Sequence, residues 1–243
     1  MKYLLVILLV TSSISYSQDV SEIYKTDTIY FYGYDFSHFT CAENNVAIEP
    51  GNFIFPWIGY ISDYVSPKKF ERHLSATVIH DFTCTNTINK KIVEDLNIMN
   101  NIPKTVESVE KKYLLLYDNP DATSSIINIQ YKDQLTEDSI QKIVMNYNLE
   151  QKKGIGLVAL MEYIDKQEES TLVKFVFFDI KTKIHIKTYA QLGSYGKGIG
   201  WTKHWGNSFT GNAIDFLESY SNDLYFNYRK ESTRKYKRMR KLK

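Results

Sequence analysis

The chain has 243 residues, 43% of them hydrophobic and 14% aromatic, which gives it ample apolar surface to bury and excludes a disordered stalk. Its formal net charge of +2 hides a polarised distribution: residues 229–243 hold nine Lys or Arg against one Glu, whereas the rest beyond Lys2 holds 20 basic and 27 acidic residues. A body with that acidic balance lacks the basic surface of a nucleic-acid-binding domain.

Residues 1–17 have the layout of a secretory signal peptide: Lys2 supplies positive charge, Tyr3 to Val10 are apolar, and Thr11 to Ser17 are small or polar. The apolar run is shorter than the roughly 20 residues that span a bilayer. The expectation is an exported protein, periplasmic or at the cell surface, that begins near Gln18 and has no transmembrane segment after cleavage. An oxidising compartment permits a disulfide between the two cysteines, Cys41 and Cys84; two free thiols in a core are the alternative.

Thr28 to Phe36 is dense in β-branched and aromatic residues and reads as a strand, although the sequence leaves open whether it is an exposed edge. Ala76 to Phe82 is a second strand, followed by a helix with Ile88, Ile92 and Leu96 on one face. Lys112 to Tyr117 adds a possible strand before the turn signal at Asp118 to Asp121. Thr136 then caps a helix with Glu137 and Asp138 in its first turn and an apolar stripe of Ile140, Ile143, Val144 and Tyr147. Three strands follow, at Ile155 to Ile164, Leu172 to Ile180 and Ile184 to Leu192. In the last, Ile184, Ile186, Ala190 and Leu192 are assigned to the core, and His185, Lys187, Tyr189 and Gln191 to solvent. Phe209, Ala213, Phe216 or Leu217, Tyr220 and Leu224 mark a closing amphipathic helix. The fold class is α+β, a mixed sheet with a C-terminal antiparallel meander covered by helices. One domain occupies residues 24–225, and a basic disordered tail occupies 226–243.

Gly154 to Val158, Phe177 to Ile180 and Gly193 through Trp205, with Tyr34 to Ser37 near the start, resemble a family of exported proteins of Bacteroidota-type bacteria. The likeness covers most of residues 28–221 and carries no activity over to this chain, which departs from it in Cys and His around positions 38–41 and in the long basic extension. At the level of fold, the element order is similar to small periplasmic domains such as the TolB N-terminal domain and LpoB-type synthase activators, which are interaction modules.

Candidate chemistry is sparse. The loop Gly193 to Gly200 is rich in glycine, but its spacing fits neither a Walker A loop nor a dinucleotide fingerprint. If it binds a ligand, Lys197 supplies charge while Trp201, His204 and Trp205 offer a stacking surface for a sugar or peptide ring. His73, His80, Asp81 and Cys84 are zinc-ligand types without zinc-site spacing, so no metal is assigned, and no cofactor. Asp35, Ser37 and His38 are too close in sequence to assemble a triad; Asp35 is read as capping the following turn. Arg229, Lys230, Arg234, Lys235, Lys237, Arg238, Arg240, Lys241 and Lys243 attract polyanions. The expected partner is an envelope protein or an anionic glycolipid surface, with nucleic acid disfavoured by export. The chain is thus read as a non-catalytic envelope protein that binds a macromolecule through its sheet edge or Gly/Trp loop. The alternative is a hydrolase or ligand-binding protein acting on cell-wall or glycan material.

Overall fold

A computed structural model describes residues 19–42, 54–101, 135–150, 152–165, 170–194 and 201–241. The proposed leader, the strand at 112–117 and the turn at 118–121 lie outside them. The elements are α1 (Ser21–Lys25), β1 (Thr28–Asp35), β2 (Thr40–Ala42), α2 (Ile54–Tyr64), α3 (Pro67–Leu74), β3 (Thr77–His80), α4 (Thr83–Asn101), α5 (Glu137–Asn146), β4 (Ile155–Asp165), β5 (Ser170–Asp179), β6 (His185–Ser194), α6 (Trp201–Asn227) and α7 (Arg229–Lys241).

The strands form one mixed sheet in the order β3-β1-β4-β5-β6, with β2 pairing β4. The pairs β1/β3, β1/β4 and β2/β4 are parallel. β4, β5 and β6 make the antiparallel meander. On one face, Phe31, Leu157, Ala159, Phe175 and Phe177 pack against Phe209, Phe216, Leu217 and Tyr220 of α6, with Trp57 of α2 and Phe70 of α3 completing the layer. Phe175 stacks on Phe216 at 4.2 Å between ring centroids. The other face carries Tyr32, Val158, Leu160, Val176 and Phe178 under Ile140, Ile143 and Val144 of α5. α5 starts where its composition says it should: the Thr136 side chain accepts from the Ser139 amide.

β1 is an interior strand. Gly33, at φ +92°, sits in a bulge between Phe31 and Tyr34, and a Cβ there would lie 2.9 Å from Cδ1 of Phe82 and 3.1 Å from Oγ1 of Thr85. Past the end of short β3, the open flank of β1 is occupied by side chains of α4. Thr85 donates to the Tyr32 carbonyl, while Asn89 donates to the Tyr34 carbonyl at 2.7 Å and accepts from the Phe36 amide at 3.0 Å. The ends of the sheet path are therefore β3 and β6.

Two expectations are corrected. In β6 Ile186 is buried as expected, but beyond it the phase inverts: Tyr189 is buried and Lys187 and Gln191 lie half-buried beside α6, whereas Ala190 and Leu192 are exposed, Leu192 by 65%. The cause is a register shift between Phe177 and Phe178, whose partners are Lys187 and His185, so that strict alternation fails at Ile186. The basic C-terminal segment is the second case, because Arg229–Lys241 is a helix held against the body. High charge opposes a packed core, but α7 needs none of its own: it docks through particular polar groups, described next.

Candidate functional site

α7 continues from α6 across Tyr228, whose carbonyl accepts from the Ser232 amide at 3.0 Å and whose ring stacks on Tyr24 at 4.1 Å. Among the described side chains of this segment, Tyr228, Glu231, Ser232 and Lys235, spaced as one helical stripe, are the half-buried or buried positions. Lys235 is only 1% exposed and its Nζ donates to the Leu74 carbonyl at 3.2 Å, at the C-terminus of α3 where the helix dipole favours a cation. Arg234 donates to the Lys25 carbonyl and lies 3.7 Å from the Asp27 carboxylate. The other side of the helix presents Arg229, Lys230 and Lys237 to solvent, and no described carboxylate pairs with them. Side chains of Arg238, Arg240 and Lys241, and Lys243 entirely, lie outside the described residues.

Beside this helix, Asp223 of α6 gathers the hydroxyls of Tyr24 (3.1 Å) and Tyr189 (2.8 Å) and the ammonium of Lys187 (2.5 Å) on one oxygen. Asn227 donates to the other oxygen at 3.1 Å. Burial alone would push the Asp223 carboxyl up, but the Lys187 and tyrosine hydrogen bonds outweigh it and hold the carboxyl below the usual range. Burial pushes both tyrosines up, so they remain neutral donors at pH 7. The cluster joins α1, β6 and α6, and its groups satisfy one another.

The aromatic-rich loop region is only partly described. Lys197 lies outside the described residues, and Trp201, His204 and Trp205 occupy the first turns of α6, which begins eight residues before the first apolar marker read from the sequence; their side chains are likewise outside. The geometry does explain the first glycine of the loop. A Cβ at Gly193 would fall 1.7 Å from Oδ1 of Asn212, a buried side chain that also donates to the Thr171 hydroxyl at 3.2 Å. Thr171 in turn bonds Ser208 at 2.7 Å. Gly193 thus allows close approach of β6 to α6.

The four residues of metal-ligand type go to different partners. His73 bonds the Ser221 hydroxyl at 3.2 Å. His80 is ringed edge-on by Phe31 and Phe82, and its Nε2 is buried without a hydrogen-bond partner. Asp81 pairs with Lys152. Cys84 is a free thiol, so the bridge to Cys41 is not formed here; the side chain of Cys41 lies outside the described residues. Burial pushes the Cys84 thiol up, making it a poor nucleophile. Among the described residues no group of three or more His, Cys, Asp or Glu is placed to hold a metal ion.

No family model, curated protein or solved structure matches the chain.

The buried carboxylates are also committed. Asp35 caps its turn as expected, accepting from the Ser37 amide at 2.7 Å, and its other oxygen accepts from the Tyr147 hydroxyl at 2.5 Å. Glu162 and Lys174, 6% and 8% exposed, form an ion pair at 2.8 Å. Both also grip one residue: the Leu135 amide donates to Glu162 at 2.8 Å and its carbonyl accepts from Lys174 at 2.6 Å. That clamp fixes where the chain enters α5. Among the described residues no helix is long and apolar enough to cross a membrane.

What the sequence reading missed is Tyr225 and Phe226, 61% and 73% exposed at the end of α6. The signal was available: Tyr220 and Leu224 carry the apolar stripe, so the next two positions rotate out of it, immediately before the basic run.

Proposed function

We propose that this chain is an exported, non-catalytic envelope protein that binds an anionic macromolecular surface through the outward face of α7, with the folded body as its platform. The observation that carries this reading is the division of labour on α7. Arg234 and Lys235 anchor the helix to backbone carbonyls, which leaves Arg229, Lys230 and Lys237 exposed on a seated helix. A fixed row of cations loses less conformational freedom on binding than a solvated tail. Export is supported by the layout of residues 1–17, and the non-catalytic character by the buried carboxylates among the described residues, Asp35 and Glu162, and the half-buried Asp223, each of which is spent on a structural partner.

The test is retention on isolated cell envelopes at rising salt. Deleting residues 229–243 would also strip Leu74 and Lys25 of their cations, so the informative variant is R229Q/K230Q/K237Q, which leaves both anchors in place. Its release is expected at distinctly lower salt than that of the unaltered chain, because exposed charges are screened beyond about 8 Å at physiological ionic strength. Coincident salt profiles would refute the reading.

A further inference from the structure

We infer that Tyr225 and Phe226, together with Arg229, Lys230 and Lys237, form a docking surface for an anionic lipid bilayer. This rests on the reading above and adds the chemistry of the partner. Large exposed apolar side chains among the described residues are Ile79, Met145, Leu192, Tyr225 and Phe226, and only the last two are neighbours in sequence. Their rings meet edge to face at 5.0 Å, so they expose a joint apolar knob at the end of α6. The cations begin three and four residues after Phe226, and within α7 Lys230 and Lys237 share one stripe at i and i+7, with Arg229 beside it.

A bilayer interface accepts both parts at once. Aromatic rings settle at the boundary of headgroups and acyl chains, and Lys and Arg beside them meet the phosphates. From Arg229 to Lys237 the helix rises about 12 Å, so the row reaches several headgroups in one plane. Charge complementarity selects an anionic membrane, and the apolar knob gives it a contact that salt does not screen. A single-stranded nucleic acid, the other polyanion that uses aromatic rings, stacks its bases on open ring faces in a groove. Here the two rings are turned at 88° to each other on a helix end.

The experiment is co-sedimentation of the exported form, residues 18–243, with phosphatidylcholine vesicles and with mixed phosphatidylcholine/phosphatidylglycerol vesicles, at low salt and at 0.15 M. The unaltered protein is expected to sediment with the anionic vesicles only. R229Q/K230Q/K237Q should bind about a hundredfold more weakly, from the roughly fivefold that each basic residue contributes near such a surface. Y225S/F226S should bind about tenfold more weakly, from partial burial of two rings, with that loss undiminished by salt. Far-UV circular dichroism checks that the variants fold, and Phe226→Trp gives a second readout, a fluorescence blue shift on anionic vesicles beyond that of the parent.

Charge-dependent envelope retention without vesicle binding would overturn this inference and leave the proposed function standing. Vesicle binding unaffected by Y225S/F226S, with no blue shift, would also overturn it. Tighter binding to a poly(dT) oligonucleotide, weakened by both variants, would replace the bilayer with nucleic acid. Indifference of envelope and vesicle binding to R229Q/K230Q/K237Q would overturn both.

Discussion

Replacing Gly193 by Ala separates a close-packing glycine from an anion-binding one. The added methyl would sit 1.7 Å from Oδ1 and 2.7 Å from Cγ of Asn212, and 2.7 Å from Oγ1 of Thr171, all buried. Asn212 must therefore move. Overpacking of this kind costs about 1–3 kcal/mol. Displacing Asn212 also weakens its bonds to the Thr171 hydroxyl (3.2 Å) and carbonyl (3.4 Å), adding about 1 kcal/mol. The expected loss is about 3 kcal/mol, which for a chain of this size lowers Tm by about 6–12 °C. Urea unfolding followed by circular dichroism measures it. In N212A the obstructing side chain is gone, so G193A/N212A should be less destabilised than the sum of the single variants by about 2 kcal/mol. If G193A stays within about 0.5 kcal/mol of the parent and the double variant is additive, the close-approach argument is wrong.

Gly33→Ala faces both a positive φ and the ring of Phe82, and is expected to lose about 2–4 kcal/mol by the same unfolding assay. Removing one member of the buried clamp, as in Glu162→Gln or Lys174→Met, should cost about 3–5 kcal/mol, and the double variant should be closer to the parent than the sum predicts; thermal melts of all three decide it. Burial holds His73, His80 and His185 below the ordinary histidine value of 6.5, so the unfolded chain takes up more protons as pH falls below 6.5 and stability declines from there. His80→Phe should flatten that decline in urea titrations between pH 7 and 5; an unchanged slope would rule out a contribution from His80. Cys84 should react slowly with iodoacetamide in the folded chain and fully after denaturation without reductant, and failure to react then would restore the disulfide.

Most of the sheet was legible because its strands are long and their composition is unambiguous. β1, β4 and β5 combine β-branched and aromatic residues, and the stripe from Phe209 to Leu224 has one periodicity throughout. β6 was legible as a strand but not in phase, since a bulge at Ile186 leaves no mark in the residue pattern. The docking of α7 was illegible for another reason. Lys235 looks like every other lysine of the tail, and only the tertiary fold brings the Leu74 carbonyl to it, across 161 residues. The same holds for the clamp at Leu135, where two opposite charges on adjacent strands become a pair once the register sets Glu162 and Lys174 on the same face. For the binding surface, the basic run was evident and the aromatic pair beside it was discernible from helical phase, whereas the split between anchoring and outward cations needed the structure.

The contacts of α1 with α6 and α7 have a consequence for how the molecule is completed. Tyr24 meets Asp223 across 199 residues, and Arg234 meets the Lys25 carbonyl across 209. Contacts that distant close late. A chain delivered N-terminus first presents α1 long before anything exists to receive it, so Ile23 and Tyr24 stay uncovered until α6 and α7 arrive. The later-made α6 and α7 therefore lock the earlier-made α1, and the exterior cations come into position in the same step that seals the interior.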